Sequence, residues 1–364
     1  MIPILALLAC APIAVPPQTS GFSRLDLPLN GSPERVLVSN LDPGPTADVT
    51  VLVNRGVGVY DLTTLGLTAS GIQVEVLPGL AQLGYIEQST MAEADFTGDG
   101  VPDLGLSPLY ATQSYVGNGD LTHRPGPFLP TYGGSQHAVG FTDVDGDGDL
   151  DSVLLVRDFS SWYLDYGFND GTGSFAEGSF VEPPGLPDFG SRLLFADIEG
   201  QGRDSTFVTG SAGLFRSHWP AGPNDDVLLL AGDFAEVAAA DLDGVFGLDL
   251  VVCGRGMNAI AVLLEDGAGG FGPPTVLPAG AFPESVAIAD LDGDGDQDLA
   301  VANRDGDSVT LFCGDGAGGF VKCVTYPVGR RPTDIAAGDV DGNGKVDLVV
   351  TCATSGVLSI LLAF

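Results

Sequence analysis

Seven times along its 364 residues the chain repeats an acidic loop held between two apolar runs. The fullest copy is Asp290-Leu-Asp-Gly-Asp-Gly-Asp-Gln-Asp298, with Ser285-Val-Ala-Ile-Ala before it and Leu299-Ala-Val behind it. Carboxylates at every second position repel one another unless a cation is shared among them. Side-chain oxygens at positions 1, 3, 5 and 9, with a backbone carbonyl at position 7, suit a hard, oxygen-seeking ion. Gly295 at position 6 permits the sharp turn of a calcium loop. An EF-hand would put a bidentate acid at position 12 and flank the loop with helices. Val301 stands there instead, inside an apolar run that reads as a strand. The stretch is a calcium loop between strands.

The copies begin at Asn40, Asp95, Asp143, Asp197, Asp241, Asp290 and Asp339, at spacings of 55, 48, 54, 44, 49 and 49 residues. A period of about 50 residues marks a propeller or a stacked array. Most copies continue into β-formers, as in Asp48-Val-Thr-Val-Leu-Val, Asp249-Leu-Val-Val and Asp347-Leu-Val-Val. Several then carry a glycine-rich signature: Asn169-Asp-Gly-Thr-Gly-Ser-Phe175, Glu265-Asp-Gly-Ala-Gly-Gly-Phe271 and Gly314-Asp-Gly-Ala-Gly-Gly-Phe320. Asp-Gly between strand-like runs is a hairpin signal. One repeat therefore reads strand A, acidic loop, strand B, turn, strand C, hairpin, strand D: a four-stranded antiparallel blade.

The pairing of D-x-D-G-D-G-x-x-D-L with a downstream D-G-x-G-x-F resembles the FG-GAP/VCBS repeat family, known from the seven-bladed propeller of integrin α-chains. The resemblance covers roughly Phe22 to Phe364 and implies an all-β, seven-bladed propeller. It is specific for fold and not for activity, since adhesion proteins, lectins and some enzymes share the repeat. The chain ends after Val357-Leu-Ser-Ile-Leu-Leu, a C strand, while Phe22-Ser-Arg-Leu-Asp-Leu-Pro matches the D strand that begins at Phe320. Pairing the two termini would close the ring and remove its open edges.

About four loops have the donors for calcium. Blade 3 is complete with Asp143, Asp145, Asp147 and Asp151 and the Asp149 carbonyl. Blade 6 is complete with Asp290, Asp292, Asp294 and Asp298 and the Asp296 carbonyl. Blade 7 offers Asp339, Asp341, Asn343 and Asp347 with the carbonyl of Lys345. Blade 2 offers a weaker set, Asp95, Thr97, Asp99 and Asp103 with the carbonyl of Val101. Blade 1 has Asn40, Asp42 and Asp48 but Gly44 at position 5; blade 5 has Asp241, Asp243 and Asp249 but Val245 there. Blade 4 departs most, with Asp197, Glu199 and Gln201 followed by Ser205 at position 9.

A net charge of −34 opposes binding to nucleic acid or to anionic lipid. Residues 1–21 read as a leader and tether ahead of the propeller at 22–364. Ile2 to Ala9 is an apolar run too short to span a bilayer, and Leu7-Leu-Ala-Cys10 resembles the lipoprotein box that would lipidate Cys10. Lipidation and plain secretion both remain open, placing the protein outside the cell or on its surface as a monomer, with Cys10 the one membrane link. Cys313 and Cys323 flank the Gly314 to Gly319 hairpin and are expected to pair; Cys253 and Cys352 read as buried thiols.

Chemistry is harder to find. His123, His137 and His218 lack metal spacing, no G-x-S-x-G elbow is present, and Trp162, Tyr163, Tyr166 and Trp219 read as packing residues. Two function classes follow. One is a calcium-stabilised surface module that binds a protein or glycan on the face opposite the acidic loops, near Arg330 and Arg331. The other is a secreted polysaccharide lyase or hydrolase on the same ring, for which no basic or histidine-bearing groove is evident.

Overall fold

The computed structural model describes residues 22–41, 46–56, 59–68, 71–80, 90–107, 112–131, 134–158, 161–181, 190–198, 200, 202–217, 227–245 and 247–364. The expected leader and tether, Cys10 included, lie outside these residues, as do Asp42, Gly44, Glu199, Gln201, His218 and Trp219.

Seven four-stranded antiparallel sheets form the chain, each in the order A-B-C-D. Blade 1 comprises Ser32–Ser39, Asp48–Gly56, Val59–Thr68 and Gly71–Leu80; blade 2, Thr90–Ala94, Asp103–Ser107, Gln113–Gly117 and His123–Phe128. Blade 3 comprises Ser135–Thr142, Asp151–Arg157, Trp162–Asn169 and Phe175–Val181; blade 4, Gly190–Ala196, Ser205–Gly210, Gly213–Ser217 and Val227–Ala231. Blade 5 comprises Phe234–Ala240, Asp249–Gly254, Ala259–Leu263 and Thr275–Pro278; blade 6, Pro283–Ala289, Asp298–Asn303, Ser308–Gly314 and Phe320–Pro327. Blade 7 takes Pro332–Gly338, Asp347–Cys352 and Val357–Ala363 from the carboxyl end and Phe22–Pro28 from the amino end. That last pairing runs from Phe22 opposite Ala363 to Pro28 opposite Val357, so the ring closes as the termini imply. Phe22 also packs edge-on against Tyr326 of blade 6, with ring centroids 5.6 Å apart.

Strand B explains why the apolar runs do not alternate. It lies between strands A and C and is covered on both faces by neighbouring blades, so its first five or six positions are buried whichever way they point, as in Asp298–Asn303 and Asp347–Cys352. Its two faces feed different cores. Val49, Val51 and Val53 pack towards blade 7, whereas Leu52 packs towards blade 2 with Leu62, Met91 and Leu104. The hydrophobic effect thus acts between blades more than within them.

The A strands line the axis and contact their neighbours around the ring. In six blades strand A carries an irregularity close to its start, for example between Pro33 and Arg35, Pro283 and Ser285, and Pro332 and Asp334. Such bulges re-aim side chains, here at the mouth of the axial channel. Cys313 and Cys323 are bonded, with Cα atoms 5.8 Å apart. Their register is not the symmetric one expected from the hairpin: Cys313 faces Val321, and Cys323 is the extra residue of a bulge opposite Leu311 and Phe312. Cys253 and Cys352 are buried free thiols.

Candidate metal centres and the axial charge web

Each acidic loop is shaped by its own carboxylates. In blade 6 the Asp290 carboxylate accepts the N–H groups of Gly293 at 2.7 Å and Gly295 at 3.0 Å. Asp292 accepts from Asp294 N and Asp294 from Asp296 N, at 3.1 and 2.9 Å. The two glycines hold φ of 84° and 95°, a region closed to most side chains. Blade 3 repeats the pattern, Asp143 accepting from Gly146 and Gly148, Asp145 from Asp147, and Asp147 from Asp149. Blade 7 does so through Asp339, Asp341 and Asn343, whose Oδ1 accepts from Lys345 N at 2.8 Å. Lys345 is exposed and meets the loop through its backbone.

Position 9 has a second duty. Asp298 is buried, and its two oxygens accept the N–H of Leu291 in the loop and of Gly314 at the end of strand C, both at 2.9 Å. Asp48, Asp103, Asp151, Asp249 and Asp347 are buried too, and Asp151 and Asp347 make the same pair of bonds. Burial raises the pKa of Asp103, Asp151, Asp249 and Asp298, and pushes Asp347 up to about 6. A nearby cation would offset that desolvation.

Carboxylate oxygens converge within 4.8 Å of one another in Asp143/Asp145/Asp151, Asp241/Asp243/Asp249, Asp290/Asp292/Asp294 and Asp339/Asp341/Asp347. Blades 3, 6 and 7 each bring three of their expected acids together, Asp147 standing outside the blade 3 set and Asp298 outside this blade 6 set. Blade 5 joins them although Val245 leaves position 5 without a donor. Blade 2 does not gather its carboxylates, and the reason is local. Every converging set contains the aspartate of position 3, and blade 2 has Thr97 there. Asp95 accepts from Asp99 and Gly100, Asp99 from Val101, and Asp103 from Thr97 and Gly117, so that loop is shaped by the same kind of hydrogen bonds as the others. A further group, Asp292, Asp298 and Cys313, involves a sulfur already bonded to Cys323. The donors of the four converging sets are all hard oxygens, which fits calcium chemistry.

Loops and hairpins interlock on one face of the ring. Asn169 Nδ2 donates to Phe96 O of the blade 2 loop, and Gly318 N donates to Leu242 O of the blade 5 loop. On the other face the B–C turns tie to the D–A links: Arg255 N to Asp233 O, Arg304 N to Phe282 O, and Ala353 N to Arg331 O. Arg330 and Arg331 lie here, exposed, and form no ion pair among the described residues. Their backbone is held by Ser355 Oγ and Asp307 Oδ1, and Arg331 sits at φ 58°.

At the axis on this face stands a group that sequence reasoning missed. Asp334 accepts Val36 N at 3.0 Å, the Ser285 hydroxyl at 3.0 Å and the Arg192 guanidinium at 3.0 Å. Arg192 also lies 3.7 Å from Glu236, which accepts Val286 N. Arg35 completes the web; burial and the Arg192 charge lower its pKa, against the pull of Asp334 and Glu236. Around it Arg255 and Arg304 bridge to Glu284 and flank the Phe282 ring at 6.0 and 4.8 Å. One signal was available: Glu236, Ser285 and Asp334 recur at the repeat spacing of 49, just before Val or Ile.

The histidines and aromatics behave as packing residues. His123 and His137 are held near a pKa of about 4, both mainly by burial. Trp162, Tyr163 and Tyr166 are buried, Trp162 against His137 at 4.5 Å.

A closed ring of seven four-stranded blades with acidic A–B loops defines a seven-bladed β-propeller. An FG-GAP-like repeat family matches residues 247–301 and 290–350. With the seven blades, this match supports an FG-GAP type of propeller. A search of curated proteins finds no match. Among solved structures the chain resembles a lectin of Agrocybe aegerita described as recognising non-reducing terminal N-acetylglucosamine. Identity there is 17%, TM-score 0.58, and 84% of this chain and 90% of that one are covered. It also resembles a protein of unknown function from Desulfotomaculum acetoxidans, at 9% identity, TM-score 0.59 and coverage of 85% and 90%. BBS1N, solved in complex with ARL6DN, aligns over 98% of both chains at 13% identity and TM-score 0.62. These likenesses are of fold.

Proposed function

We propose that this protein is a calcium-stabilised propeller that acts as a binding module for a protein or glycan, secreted or held on the cell surface. The observation that carries this reading is the division of labour between the two faces. Converging carboxylates and tight hairpins occupy one face, where calcium would be held by Asp143, Asp145 and Asp151, by Asp290, Asp292 and Asp294, and by Asp339, Asp341 and Asp347. The blade 2 loop, with Asp95, Thr97, Asp99 and Asp103, would be the weakest of the expected sites. The opposite face carries turns free of that duty, the arginine-bearing rim and Arg330 and Arg331. Binding commonly resides on such connections. The Cys313–Cys323 bond suits an oxidising compartment, as does a leader at 1–21 with lipidation at Cys10 or plain secretion. Fold relatives support the class of function only: one is described as a lectin and another was solved with a protein partner.

The test is a glycan-array and pull-down screen of the purified chain with calcium and with a chelator. Arg330→Ala and Arg331→Ala together should weaken capture of the ligand found, about tenfold or more, with no change in melting temperature. A ligand footprint on the acidic-loop face would overturn the assignment of faces.

A further inference from the structure

The interface between blades 1 and 2 departs from its counterparts at the end nearer the acidic loops. Two residues before the first loop ligand, six blades carry Val38, Phe141, Phe195, Ala239, Ile288 and Ala337, but blade 2 carries Glu93. At the third residue of strand B stand Gly105, Val153, Phe207, Val251, Ala300 and Val349, but blade 1 has Thr50, paired across the sheet with Thr64. Strand alternation puts these polar groups on one side. Thr50 shares its face with Leu52, Thr64 with Leu62, Ser39 with Leu37 and Glu93 with Met91, and those four apolar residues pack together between the two blades.

The polar groups gathered there are short of partners. Thr50 Oγ1 and Glu93 Oε2 are closed to solvent and make no hydrogen bond, and Thr50 is 0% exposed, while the Ser39 hydroxyl lies beside the Glu93 carboxylate and lowers its pKa against the rise that burial causes. Orphaned buried oxygens are costly and mark an absent ion or water. The Asp48 carboxylate borders the same space: its charge acts on Glu93, and its Oδ1 lies 3.3 Å from where a Cβ on Gly66 would sit. The inner strands of blades 1 and 2 are also the least closely packed neighbours around the axis, which leaves room. Two carboxylates and two hydroxyls with no cationic side chain among them form an all-oxygen donor set. Such a set suits a hard cation rather than an anion or a soft metal.

We infer that a cation of the calcium class binds between blades 1 and 2, on Glu93 and Asp48 as charged ligands and Thr50 and Ser39 as neutral ones. This site shares Asp48 with the blade 1 loop, whose Leu41 N–H that carboxylate also accepts, and it joins two blades where each loop serves one. It also lies beside the loop of blade 1, which lacks an acid at position 5.

The experiment counts calcium ions per chain, by equilibrium dialysis of the full protein, in the parent and in Glu93→Gln, Thr50→Val and Glu93→Ile. Glu93→Gln and Glu93→Ile should each bind one ion fewer, and Thr50→Val should weaken one ion about tenfold, with the remaining ions unchanged. Glu93→Ile restores the residue type of the other blades, so with a chelator it should melt no lower than the parent. That control separates loss of an ion from loss of the fold. An unchanged count in all three variants, with Glu93→Ile more stable under every condition, means that the pocket holds water only and overturns the inference. If Asp294→Asn lowers the count and Glu93→Gln does not, the loop sites stand and this one falls. A parent that binds no calcium overturns both.

Discussion

Blade 6 and blade 4 tie the start of strand B to strand C with opposite charges. In blade 6 the buried Asp298 takes one N–H from the loop and one from the end of strand C. Blade 4 has Ser205 at that position, where no carboxylate can reach both. Arg216, from the facing strand C, donates through Nε and Nη2 to Ser205 Oγ at 3.0 and 2.9 Å. Its Nη1 donates to the carbonyl of Gly269 in the blade 5 hairpin, and the guanidinium lies 5.9 Å from the Phe207 ring centre. The equivalent positions in other blades hold Tyr166, Val262, Leu311 and Ile360. The repeat therefore keeps a link from the start of strand B to strand C beneath the loop. It does not require that the link be a carboxylate, nor that it hold metal. Blade 6 makes its link with a carboxylate beside converging acids, and blade 4 makes it with an arginine.

The largest effect expected is that of calcium removal, which acts on blade 6 and not on blade 4. At ~1 mM calcium, a site with a dissociation constant of ~0.1 mM contributes about 1.4 kcal/mol, so four would contribute roughly 5–6 kcal/mol. Thermal melts with calcium and with chelator should differ by many degrees, and local hydrogen exchange should rise in the blade 6 loop before the blade 4 loop. Equal melting temperatures would remove the contrast.

Next in size are the two anchors. Asp298→Ala strands two buried N–H groups and should cost about 3–5 kcal/mol in urea unfolding. Arg216→Ala leaves Ser205 and the Gly269 carbonyl with less support and should cost about 2–3 kcal/mol. The Arg216 deficit should be the same with calcium and with chelator, while the Asp298 deficit should be greater with calcium. A calcium-dependent Arg216 deficit would break the comparison.

Smaller again is Asp294→Asn, which touches one exposed loop ligand of blade 6. It should lose about 1.4 kcal/mol in calcium and almost nothing in chelator, since its backbone-facing oxygen is kept. Substitution of Arg203, exposed beside the blade 4 loop, should do neither.

The smallest effect lies outside both blades. His123 and His137 are held mainly by burial at about 4, below the ordinary 6.5. The unfolded chain thus binds more protons between those values. Their contribution is complete above pH 6.5 and is lost as pH falls towards 4. In chelator, the melting temperature should decline over that window, and His123→Asn with His137→Asn should flatten the decline. An unchanged slope would show that the histidines are solvated.

The period-two acids, the near-50 spacing and the strand-like flanks were legible as a seven-bladed ring because each is local. Asp290 to Asp298 folds on itself through Asx hydrogen bonds, so its form follows from nine consecutive residues. Ring closure was legible because the blade has four strands and the carboxyl end is one short. Tertiary structure alone decided the rest. It converged the carboxylates of blade 5 and not of blade 2, since the aspartate at position 3 bridges each set and Thr97 replaces it. It brought Arg35, Arg192, Ser285 and Asp334 to one axis from four blades, contacts that no window of sequence contains. It placed Cys323 in a bulge, because hairpin spacing does not encode register shifts. Sequence determined what each repeat is; packing between repeats determined where charge is buried, because only there do distant side chains share one low-dielectric space.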